Sequence, residues 1–202
     1  IKGPLSNATV FVDYDGDGIL DSGEPSTTTD INGAFTLTST SSTAQIVATT
    51  DANTIDTSTG QSLAGVILKA PAGSKVVTPA TTLIQETGMT STEVADALGL
   101  AGVDLLNFNP FAAGADAATA LKVEKVSQQI IATALSISTA AESSGASSLN
   151  AINKSFGAIA DLLKNKSAAS PLDFTNTADL NVIKTSAISK LSSDITNTAA
   201  FN

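Results

Sequence analysis

The segment "ATVFVDYDGDGILDSGEPSTTT" (residues 8–29) sets an acidic, glycine-rich run between two stretches that favour extended backbone. Val10 and Val12 fall on one face of the leading stretch and Phe11 on the other, the alternation of a β-strand. Pro25 and a run of threonines lead out, and β-branched residues favour strand over helix. Between them, Asp13, Asp15, Asp17, Asp21 and Glu24 lie within twelve residues, beside three glycines. Carboxylates crowded this closely repel one another, so the run needs a cation, a reaction or open water around it.

Residues 13–24 match the D-x-[DN]-x-[DN]-G-x5-E calcium loop at every position. Asp13, Asp15 and Asp17 stand at positions 1, 3 and 5, and Gly18 at the sharp turn. Ile19 offers a backbone carbonyl at 7, Asp21 stands at 9 and Glu24 at 12. The predicted cofactor is therefore Ca²⁺, held by Asp13, Asp15, Asp17, Ile19, Asp21 and Glu24. A calcium sensor carries a helix on each side of its loop, whereas strands flank this one. The predicted ion is a structural clamp with no helix pair to open.

Two other readings compete. One is a solvated acidic turn without an ion. The other is a phosphatase, because "VFVDYDGDGILDS" resembles the first motif of haloacid-dehalogenase-type enzymes, with Asp13 as nucleophile and Asp15 as acid. Those enzymes carry Thr or Val where this chain has Asp17, and they need a helix next and a later lysine and acidic pair. A strand signal follows instead, so the chain is read as not an enzyme.

Working outward, the first third is strand-rich. "STTTDINGAFTLTS" (26–39) predicts a hairpin turning at Asn32-Gly33, and 43–50 and 62–70 predict further strands. Residues 51–62 read as a polar loop, and "SKVV" (74–77) as a strand closing the sheet. After Val77 the period becomes helical. Thr78, Pro79 and Gly88 frame one helix, and Thr90 with Glu93 forms a capping box for a second, with Gly99 beyond its end. Residues 101–114 read as an ordered loop, with Asp104, Asn107, Asn109 and Asp116 as turn and cap residues rather than a second oxygen site. A long helix is predicted over 115–142, its stripe running Val123, Val126, Ile130, Ala134 and Ile137. Two more stripes follow, Leu149 to Leu163 and Leu180 to Ile195. The predicted fold class is α+β: an antiparallel β-sandwich of about six strands over residues 1–77, then an Ala/Ser/Thr-rich α-helical bundle over 78–202.

The 202 residues carry a net charge of −9, which argues against nucleic acid or an anionic membrane surface as partner. There is no Cys, His, Trp or Arg, which removes disulfides, thiolate and imidazole chemistry and arginine clamps. No stretch predicts membrane insertion. An opening "IKGPLSNATVFV" without Met suggests a piece of a longer protein, and the composition suits an exported one.

The order "GPLSNATVFVDYDGDGILDSGEPSTTTDINGAFTLT" (3–38) resembles the prealbumin-like B-repeat and carboxypeptidase-regulatory-like domains of large bacterial surface adhesins. The resemblance covers the first 80 residues. It implies a small calcium-binding β-sandwich with Asp13, Asp15, Asp17, Asp21 and Glu24 as ligands and Asp30 as a further candidate. Some relatives carry Lys–Asn crosslinks, for which Lys2 and Lys69 qualify by strand position, with no partner identified. The expected function is a calcium-stabilised structural module of a secreted or surface-anchored bacterial protein: an adhesin, surface layer or matrix filament. The alternative is a ligand-binding tip domain recognising peptide or glycan. Expected partners are calcium and neighbouring domains or copies of the same protein, outside the cell.

Overall fold

The computed structural model describes residues 2–38, 41–196 and 198. Ser39 and Thr40, part of the Ser/Thr tract at 38–43, lie outside them. The chain is α+β, with seven strands among the described residues where the sequence suggests about six. They are β1 (Leu5–Ser6), β2 (Thr9–Asp13), β3 (Ser26–Thr28), β4 (Gln45–Thr49), β5 (Ile55–Asp56), β6 (Gln61–Ser62) and β7 (Ile67–Ala70). Helices follow: α1 (Pro79–Thr87), α2 (Ser91–Ala97), α3 (Ala117–Ser143), α4 (Ser148–Leu163) and α5 (Thr177–Leu191). Both sheets are antiparallel, one ordered β3-β2-β4-β7 and the other β1-β5-β6.

β2 is a central strand, paired to β3 and β4, and Val10, Phe11 and Val12 are all buried. Its alternation therefore separates two covered faces rather than core from solvent. The register sets Val10, Ala48 and Leu68 side by side on one face and Phe11, Val47 and Lys69 on the other.

Three strand expectations change. The Asn32-Gly33 turn forms, with Gly33 at φ 72° and the Asp30 carboxylate accepting from the Asn32 and Ala34 N–H groups. Among the described residues, the arm after it, residues 35–38, forms no strand. β3 spends its ladder on β2 instead, and Phe35 and Leu37 pack half-buried against the core. The polar loop at 51–62 contains the short β5–β6 pair. Residues 74–77 form no strand and lead into α1.

The helix starts follow their caps. Thr78 Oγ1 accepts from Thr81 N–H at 3.1 Å while Thr81 Oγ1 accepts from Thr78 N–H at 2.8 Å. The same reciprocal pair joins Thr90 and Glu93, and the Thr90 N–H and hydroxyl hold the Glu93 carboxyl below the usual carboxylate range. Asp116 caps α3 by accepting from Thr119 N–H. α3, α4 and α5 pack in sequence, and α1 lies against both α4 and β7. Ile130 and Ile131, Ile152, Phe156, Ile159 and Leu163, and Ile183 and Leu191 fill the helical core.

The buried cluster is continuous from Val10, Phe11 and Val47 through Leu83 and Ile84 to Phe156 and Leu191. The change of period at 77–78 is a change of secondary structure across which the core runs on. α1 also seals the free edge of β7. Lys69 N–H donates to Thr82 Oγ1 at 2.9 Å, and Thr81 Oγ1 donates to Lys69 C=O at 2.8 Å. Buried backbone groups need such partners. Thr82→Val keeps the shape and removes the acceptor. It is expected to cost about 1–3 kcal/mol by leaving the Lys69 amide unpaired. Urea titration would measure the loss, and faster hydrogen exchange at Lys69 would locate it.

Candidate metal centre

The acidic run is the connection of a β-hairpin. β2 ends at Asp13, Phe11 pairs with Ser26, and Val12 N–H donates to Pro25 C=O at 3.0 Å, which closes the mouth. Gly18 turns the chain at φ 79°, in the left-handed region that strains any residue with a Cβ.

Asp13 anchors the loop from inside. It is 1% exposed, and both carboxylate oxygens accept from N–H donors. Gly16 N–H reaches Oδ1 at 2.6 Å; Gly18 N–H and the Gln45 side-chain amide reach Oδ2 at 2.8 and 2.7 Å. Three donors on one buried anion offset its lost hydration. Asp17 Oδ1 accepts from Ile19 N–H at 2.7 Å, and Asp15 Oδ1 from Asp17 N–H at 3.2 Å. Glu24 latches the two ends of the loop. Its Oε1 accepts from Tyr14 N–H at 2.7 Å and its Oε2 from Asp21 N–H at 2.9 Å.

Asp13, Asp15 and Asp17 are drawn together, with one oxygen from each lying within 4.8 Å of the others. Asp21 and Glu24 stand outside that trio. Ile19 carries a half-exposed side chain, and its N–H is spent on Asp17. The Asp21 carboxyl is pushed above the usual carboxylate range, first by partial loss of solvent and then by Asp17, Asp15, Glu24 and Asp13. Among the described residues the ion pairs join Lys69 to Glu86, Lys154 to Asp194, Lys166 to Asp179 and Lys190 to Asp161, so no lysine neutralises the loop. Three converged carboxylates without an internal counter-charge fit a hard divalent cation.

The other candidates have local roles. Asp104 accepts from Leu106 N–H and the Asn107 side chain, Asn109 from Phe111 N–H, and Asp116 caps α3. Asp30 caps its own turn. Lys69 Nζ sits 2.8 Å from Glu86. Gln45 is the residue that sequence reasoning missed. A buried amide opening an apolar strand was the available signal, and β4 brings it opposite Asp13.

Among the described residues no helix is long and apolar enough to cross a membrane. Comparison with protein-family models, curated proteins and solved structures gives no match to this chain.

Proposed function

We propose that this chain is a calcium-stabilised structural module of a secreted or surface-anchored bacterial protein, such as an adhesin, surface layer or matrix filament. One observation carries the reading: a full twelve-residue oxygen-donor register, three of its carboxylates converged, set between two strands. Asp13, Asp15 and Asp17 would hold the ion, with Asp21, Glu24 and the Ile19 carbonyl as the further donors that the register supplies. When bound, the cation supplies the charge neutralisation that the loop lacks. Asp13 is both anchor and ligand in this reading, and no residue is given a catalytic role. Glu24, by joining the loop's two ends, sets the span over which the carboxylates meet. A clamp between strands has no helices to swing apart, which suits stiffness and spacing rather than signalling.

The test is melting in calcium against melting in chelator. Free calcium about tenfold above the dissociation constant adds about 1.4 kcal/mol. For a chain of this size that is a rise of about 3–6 °C. Asp17→Ala should melt close to the parent in chelator and gain nothing from calcium. Equal melting of the parent in both conditions would sink the reading and favour the ligand-binding tip.

A further inference from the structure

The Val10, Ala48 and Leu68 face of the four-stranded sheet looks onto a cavity of about 310 Å³. Val123 and Ser127 of α3 line it, as do Lys75 and Phe111. The cavity opens to solvent beside Lys2, Lys75 and Phe111, all exposed. It reaches the lower end of the ~300–1,000 Å³ range of small-molecule sites. Its wall is set by close backbone approach. A Cβ on Gly33 would come within 2.7 Å of the Pro4 Cβ, and Gly33 has φ 72°.

The lining joins two chemistries. The apolar part is Leu5, Phe35, Val77 and Phe111 over the buried Val10, Ala48 and Leu68. Neutral polar side chains such as Asn32, Asn109 and Gln128 stand at its margin. Lys2 and Lys75 also line the cavity, against one carboxylate, Glu124. Both lysines are exposed, and among the described residues neither ammonium is in an ion pair, unlike those of Lys69, Lys154, Lys166 and Lys190. On a chain of net charge −9, a local excess of cations beside an apolar void selects an anion with an apolar tail. A polar ligand would leave the apolar part unused, and a cationic one would meet like charge.

We propose that this cavity binds a medium-chain aliphatic carboxylate, its tail against the partly exposed Leu5, Phe35, Val77 and Phe111 and its head at Lys75. The site is separate from the acidic loop, none of whose residues lines it.

Calorimetric titration of the full chain with octanoate, 1-octanol and octyltrimethylammonium, each below its aggregation concentration, tests this. Octanoate should bind, 1-octanol should bind about tenfold more weakly, and the cation should not bind. Lys75→Glu, an exposed change that leaves the fold intact, should weaken octanoate about tenfold. Ser127→Phe, which fills the cavity from α3, should abolish binding. The results should be alike in calcium and in chelator, which separates this site from the metal reading. No heat with octanoate, equal binding of all three probes, or an unchanged affinity in either variant would overturn the proposal.

Discussion

Asp13→Ala is expected to lower stability by about 2–4 kcal/mol in chelator and to abolish any gain from calcium. The first effect follows from the three donors that converge on the buried carboxylate: the Gly16 and Gly18 N–H groups and the Gln45 amide. Losing the anion leaves the Gly18 N–H and the Gln45 amide without their acceptor in a buried place, while the exposed Gly16 N–H can turn to water, and charge-assisted bonds are the costlier ones to lose. A loss of that size lowers the melting temperature by about 4–16 °C for a chain of this length. The second effect follows from the oxygen that Asp13 contributes to the trio with Asp15 and Asp17. The two separate by experiment. A variant as stable as the parent in chelator would show that the buried bonds contribute nothing. A variant that still gains stability from calcium would remove Asp13 from the ligand set.

Phe11→Ala and Phe156→Ala are each expected to cost about 3–5 kcal/mol, and both should shift one and the same unfolding transition. Phe11 is 0% exposed in β2 and Phe156 1% exposed in α4. One buried cluster contains both. Two probes report on the two ends. Tyr14 is the chain's one tyrosine and there is no tryptophan, so near-ultraviolet emission reads the stretch just after β2. Far-ultraviolet circular dichroism reads the helices. Coincident urea transitions for both probes, moved together by either substitution, would establish a single cooperative unit. Separate transitions, with each substitution moving its own, would show that the sheets and the bundle fold independently.

The caps were the most legible part of the chain. Thr78 with Pro79, Gly88 at φ 68°, and the Thr90–Glu93 box each satisfy a helix end from within a few residues, so local chemistry suffices. The acidic run was legible in part: the alternate spacing of Asp13, Asp15 and Asp17 brings those three carboxylates together, while Asp21 and Glu24 stand outside the trio. What local chemistry could not tell was partner choice. Asn32-Gly33 marks a real turn, yet nothing within 26–39 says that β3 will pair back across the loop to β2 rather than forward to Phe35 and Leu37. β5 and β6 were hidden because two-residue strands carry no period. Gln45 and Thr82 were hidden because their roles are non-local, on Asp13 and on the Lys69 amide. The change of period at 77–78 told where strands give way to helices, but the continuity of the core depends on where Leu83 and Ile84 dock.

The threonines that α1 lays along β7 also bear on how this chain meets copies of itself. An unpaired strand edge is a template on which a foreign strand can grow. In the four-stranded sheet, one such edge is occupied by the side chains of Thr81 and Thr82. The other, β3, offers three residues directly after Pro25. One margin is plugged and the other is too brief to seed a ladder. At high local density, copies of the chain can then meet along either margin of this sheet without a foreign strand extending it.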